Sequence, residues 1–131
     1  MKKNVWIMML LFIVSSFSME IFAQENLNAL VKKCETLPSV NMSIIRERNS
    51  QTNKLEPKII SIDIKDNKAL INEFLDAFKK DEDKVVKVIE NKNEGGGTNL
   101  FYRFENVSYS IDYGKEEGVA SVSVIYKNIN N

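Results

Sequence analysis

The sequence predicts an α+β fold: a single two-layer domain with an antiparallel sheet of about five to six strands and two helices on one face, in the order α-β-β-α-β-β-β-β. Three observations predict it. Two segments repeat apolar residues at helical spacing, and six are strand-like, rich in β-branched residues or repeating apolar residues at every second position. The links between successive strands are short, which favours antiparallel pairing. Half-polar alternation leaves one sheet face to be covered, and two amphipathic helices are its natural cover.

The first helix is expected from Asn26 to Leu37. Leu27, Leu30, Val31, Cys34 and Leu37 form its apolar stripe, Asn26 offers a cap and Pro38 a stop. "VNMSIIRER" then alternates Val40, Met42 and Ile44 against Asn41 and Ser43. The polar loop "NSQTNKLE" breaks the pattern, and "PKIISIDIK" resumes it with Ile60, Ile62 and Ile64, so the pair reads as a hairpin. In "DNKALINEFLDAFKK", Leu70, Ile71, Phe74, Leu75 and Phe78 share one helical face, with Asp66 as the expected cap and Glu73 in loose support. "VVKVIENKN" suits a helical face or a strand; its four β-branched residues in five favour the strand. Three further strands alternate Leu100, Tyr102 and Phe104; then Val107, Tyr109, Ile111 and Tyr113; then Ala120, Val122, Val124 and Tyr126. "GKEEG", Gly114 to Gly118, is a hairpin connection of ordinary length.

Residues 1–23 read as a secretory signal peptide and 24–131 as the single domain. Lys2 and Lys3 give a basic start, Val5 to Val14 an apolar core, and Ala23 a small residue at the cut. A bilayer span takes about 20 apolar residues, and Ser15, Ser16, Ser18 and Glu20 interrupt this run too early. No cysteine stands at the cut, so no lipid anchor is expected there. The expected location is periplasmic or extracellular, without stable membrane insertion after cleavage.

Cleavage leaves 108 residues with 16 basic and 17 acidic side chains. That balance offers no field for nucleic acid or an anionic membrane. Cys34 is alone, so no intrachain disulfide can form, and its place on the apolar stripe predicts a buried thiol.

Much chemistry is missing from the chain. With no histidine, there is no Ser-His-Asp triad, no Cys-His pair and no H-E-x-x-H zinc site. One cysteine cannot assemble a zinc centre. The carboxylates Asp63, Glu105 and Asp112 are expected on strands, and spacing alone does not bring two together. "DED" at 81–83 departs from a calcium loop, with Val85 at the third ligand position, and reads as a solvated helix end. No cofactor, metal or catalytic residue is therefore expected.

"EGGGTN", Glu94 to Asn99, holds three of the five glycines. A phosphate loop fails there on residues, because Leu100 stands where a glycine is required. It fails also on context, because "LFYRF" continues as a strand rather than a helix. The run is expected to be the turn that returns "VVKVIEN" against "LFYRF".

If the tyrosines face the helices, the other sheet face carries Ser43, Ser61, Asp63, Phe101, Arg103, Ser108, Ser110, Asp112, Ser121 and Ser123, with Ile45, Ile59, Val119 and Ile125 among them. A hydroxyl-rich face of this kind can receive a protein or glycan; an ordinary solvated face is the alternative. Loss of the only tryptophan, Trp6, with the signal weakens the glycan reading. Addition of a partner peptide to a sheet edge is the other generic route.

"FAQ", "SVNMSIIRERNSQTNKLEPKIISIDI", "ALINEFLDAFKKDEDK" and "FYRFENVSYSIDY" together resemble a group of small exported Bacteroidota-type proteins with a domain of unknown function. The resemblance covers nearly all of the mature chain. It implies a periplasmic or outer-surface location and transfers no activity. The favoured expectation is a non-catalytic binding or protein-interaction module, with an unknown protein or peptide partner. A hydrolase-type enzyme with an unusual carboxylate or lysine site, and an inhibitor or regulator of another exported protein, are the alternatives.

Overall fold

The computed structural model describes residues 24–127; the predicted signal segment 1–23 lies outside the described residues, as do 128–131. Helix α1 is Glu25–Cys34 and helix α2 is Lys68–Lys80. The strands are β1 (Val40–Arg48), β2 (Leu55–Ile64), β3 (Lys87–Lys92), β4 (Thr98–Arg103), β5 (Val107–Tyr113) and β6 (Ala120–Tyr126). They form one six-stranded sheet in the order β1-β2-β6-β5-β4-β3, antiparallel throughout. The fold is α+β, with the predicted order of elements.

The topology follows from where α2 leaves the chain. β1 and β2 form a hairpin, α2 carries the chain to the far edge, and β3 to β6 meander back until β6 pairs with β2. The ambiguous "VVKVIENKN" contains strand β3, which among the described residues pairs with β4 alone and is exposed along its whole length. In β2, Ile45 pairs with Ile59 but Arg46 with Pro57, which leaves Lys58 as the extra residue of a bulge. Pro57 lies outside the stretch that β6 pairs, so its missing N–H breaks no ladder there.

Both helices lie on one side and supply eight of the nineteen buried core residues among those described. Leu27, Val31, Cys34, Leu70, Phe74 and Phe78 pack on Ile60, Ile62, Ile64, Tyr109, Ile111, Val122 and Val124. An aromatic chain crosses this interface. Phe78 meets Tyr102 edge-on at 4.9 Å between centroids, and Phe104 meets Tyr109 edge-on at 5.9 Å. Lys33 and Glu73 pair across the helices at 3.0 Å. Cys34 is buried, as its stripe predicts; burial pushes its thiol up, with Lys33 opposing that more weakly.

The helix ends differ from expectation. Asn26 does not cap α1, because the helix already begins at Glu25 and Gln24, its N-cap residue, makes no side-chain cap. The cap comes instead from Asp81, beyond the end of α2. Its carboxylate accepts from Leu27 N at 2.8 Å, Asn26 N at 3.2 Å and Asn26 Nδ2 at 2.7 Å. Asp81 is the one buried charged residue among those described, and it sits where a helix N-terminus presents unpaired N–H groups. Residues 81–83 therefore do not all form a solvated helix end. For α2 the cap is Asn67, whose Oδ1 accepts from Leu70 N at 3.0 Å. Asp66 is displaced from that role by a left-handed backbone, φ 50°. Glu73 is engaged by Lys33 rather than by the start of α2.

Candidate functional site

Residues paired across a strand ladder share a face, so the register converts the uncovered face into three rows across six strands. The first row reads Asn41, Asp63, Ser121, Asp112, Asn99, Asn91. In the middle row stand Ser43, Ser61, Ser123, Ser110, Phe101 and Ile89. The last row is Ile45, Ile59, Ile125, Ser108, Arg103 and Lys87. All ten residues singled out from the sequence stand in these rows. Tyr102 and Tyr109 point the other way and are buried among the helices.

The rows differ in chemistry. Asp63 and Asp112 flank Ser121, one strand away on each side. Ser121 Oγ donates to Asp63 Oδ1 at 3.4 Å, and Asn99 Nδ2 donates to Asp112 Oδ1 at 2.6 Å. Neither aspartate is ion-paired among the described residues. The last row is apolar at one end and basic at the other, and Ile45 and Ile125 remain 53% and 46% exposed. Glu105, expected on a strand, lies instead in the turn between β4 and β5, which Phe104 N closes by donating to Val107 O at 2.8 Å. It does not join the two aspartates. No three His, Cys, Asp or Glu among the described residues are placed to hold a metal ion.

Beyond the first row the face ends in an open cleft of about 720 Å³, lined by Asp63, Lys65, Asn93, Asp112, Lys115 and Ser121 among others. That volume lies within the range of small-ligand sites. Two turns bound it. The β3–β4 turn is Asn93–Gly97, closed by Asn93 N donating to Gly97 O at 2.8 Å. Thr98 and Asn99 of "EGGGTN" already belong to β4, and Gly97 is buried against Tyr113 at the end of β5 and Lys115 of the β5–β6 connection. Gly114 sits at φ 88°, and a Cβ there would lie 3.2 Å from the Gly96 carbonyl. Glycine at 114 thus serves both a left-handed backbone and the close approach of two turns. The β5–β6 connection is also tied to the start of α2, through Asn67 N on Gly118 O at 3.1 Å and an ion pair between Lys68 and Glu117.

A model of the family described as a domain of unknown function, DUF5024, matches residues 24–125, which takes in α1 and nearly all of β6. The chain belongs to the DUF5024 family. No curated protein matches it. The family description carries no activity, so the rows of the open face remain the best-defined surface of this DUF5024 domain.

Periodicity places residues on a face, but it leaves their neighbours open. Asn99 and Asn41 alternate in phase with the chosen residues and could have been assigned to the face from that signal. Lys87 and Ile89 were hidden by the ambiguity of "VVKVIENKN". Asp81 carries no signal in sequence, since its partners are 54 and 55 residues away.

Proposed function

We propose that this DUF5024 domain is an exported, non-catalytic interaction module that engages a protein partner through the open face of its sheet. The observation that carries the reading is the inequality of the two faces. Helices cover the middle of one side and leave only its edge strands part-exposed, while the other presents three ordered rows with no element over them among the described residues. Exposed Ile45 and Ile125 and half-buried Phe101 supply apolar anchors beside a middle row rich in hydroxyls that can form hydrogen bonds with a partner. Export rests on the basic start, the apolar run and the Ala23–Gln24 junction. It is supported by a family match that begins at Gln24. No helix among the described residues is long and apolar enough to cross a membrane.

The experiment is affinity capture from periplasmic extract with the exported chain and two face variants, Phe101→Glu and Ile125→Asp. A partner held at mild salt by the native chain and released by both variants is the expected outcome. Capture of nothing, or capture indifferent to both substitutions, would overturn the proposal. The mass of the chain recovered after export tests the cleavage site in the same preparation: it should begin at Gln24.

A further inference from the structure

The sheet has two edges, and they are defended differently. β3 is exposed along its length and carries Lys87, Glu90 and Lys92, three charges in six residues. Charges on an edge strand deter pairing with another chain. β1 has no such guard between Val40 and Ile45, which contain neither charge nor proline. Among the described residues, no backbone group pairs with its outer side. Its apolar residues are also incompletely covered. Val40, Met42 and Ile44 are half-buried, whereas their ladder partners Ile64, Ile62 and Ile60 are buried.

We infer that the β1 edge pairs with β1 of a second copy, antiparallel about a two-fold axis through Met42. The stretch Val40–Ile44 is symmetric about Met42 in its alternation of apolar and polar residues. In that register Met42 faces Met42, Val40 faces Ile44 of the second copy, and Asn41 faces Ser43. Opposed residues in an antiparallel pair share a face, so apolar meets apolar on the helix side and polar meets polar on the open side. Other centres are worse. An axis at Ser43 sets Arg46 against Val40, and one at Ile44 sets Arg46 against Met42 and Arg48 against Val40. The charged run Arg46 to Arg48 thus selects the register by exclusion.

The area bounds the strength. Five paired residues a side bury less than the about 800 Å² per partner of a standard interface, so the dimer forms and dissociates with concentration. An axis normal to the sheet keeps both helix layers on one side and joins the two open faces into a single twelve-stranded surface. The pairing itself does not rest on the binding role of the open face. If that role holds, the dimer presents two such sites side by side, and avidity follows.

The test is the mass of the full exported chain in solution, by light scattering and sedimentation over a wide concentration range. The expected result is a shift from monomer to dimer as concentration rises. Met42→Lys sets two ammonium groups against each other at the axis and should weaken dimerisation about tenfold or more. A mixture of Met42→Lys with Met42→Glu should recover the dimer as a mixed pair, while Ile89→Lys on the opposite edge changes nothing. Circular dichroism of each variant separates loss of pairing from loss of fold, and the mixed pair keeps the test decisive if either single variant is weakened. A chain monomeric at every concentration overturns the inference, as does a native dimer that Met42→Lys leaves intact. A monomer whose captured partner is lost with Met42→Lys also overturns it, and assigns the edge to a different chain. Dimerisation unaffected by Phe101→Glu keeps this outcome separate from that of the open face.

Discussion

The two faces of the sheet are built from the same strands, residue by residue, yet they solve opposite problems. On β6, Ala120, Val122 and Val124 are buried beneath helices while Ser121 and Ser123 between them are not. One face loses water and is fixed by packing. The other keeps water, and its side chains are constrained only by their cross-strand neighbours. Stability should therefore be concentrated on the covered face, and any role in recognition on the open one. Substitutions can test that division directly.

The largest effect is expected where a big side chain is deleted under the helices. Phe74 is fully buried on α2. Phe74→Ala should cost about 3–5 kcal/mol, from lost transfer energy and the cavity left behind. Ser123→Ala, in the middle of the open face, should stay within about 0.5 kcal/mol. Urea unfolding of the two variants beside the native chain measures both. If the serine substitution destabilised as much as the phenylalanine one, the open face would be structural, and its use for recognition would need another surface.

Asp81 comes next. Its carboxylate serves two backbone N–H groups and one side-chain N–H at the start of α1, and 4% of its surface is exposed. Asp81→Ala leaves those donors without their acceptor and should cost about 1–3 kcal/mol. Asp81→Asn keeps one acceptor oxygen and should recover part of the loss. Hydrogen exchange should show protection lost first at Asn26 and Leu27. Protection lost uniformly along the chain would mean that Asp81 acts by some route other than capping.

These cases also mark how far sequence reaches into this fold. Period two and period 3.6 were enough to find β5, β6 and α2, because each repeats over at least seven residues with one face fully apolar. Caps were misplaced because they depend on single backbone angles and distant partners. Asp66 and Asn67 are both capable caps by composition, and only the left-handed φ of Asp66 decides between them. Asp81 is 55 residues from Asn26, so no local pattern announces their bond. The open face was legible as a set of residues but not as rows. Knowing that Asp63 and Asp112 alternate outward does not reveal that β6 lies between β2 and β5, with Ser121 between the carboxylates. The glycine run was legible as a turn, whereas its packing against the β5–β6 connection follows from tertiary contact alone.

The mildest expected difference at neutral pH, and a sharper one in alkali, concerns the tyrosines of the covered face. Tyr109 is buried, and that burial pushes its hydroxyl well above the ordinary value of 10.0. Nearby Tyr126 and Asp81 add to the rise, while a hydrogen bond from the Gln24 side chain opposes it. Tyr102 and Tyr126 are raised as well, burial again being the leading cause. A folded-state value above the unfolded one means that the unfolded chain releases protons first. The contribution to stability is whole below the unfolded value and is lost as pH climbs through it towards the folded one. The buried Cys34 thiol, raised in the same way, starts the loss at lower pH, so the urea midpoint should fall gently from about pH 8.5 and steeply above about pH 10. Tyr109→Phe should lose about 1 kcal/mol or less at neutral pH, through the missing hydrogen bond. It should then decline less steeply in alkali, with Tyr102, Tyr126 and the Cys34 thiol accounting for the remainder. Tyrosinate absorbance in the folded chain reads the same quantity independently. Full ionisation near the ordinary tyrosine value, with the chain still folded, would mean that water reaches the covered face and that the two faces are less unlike than their packing implies.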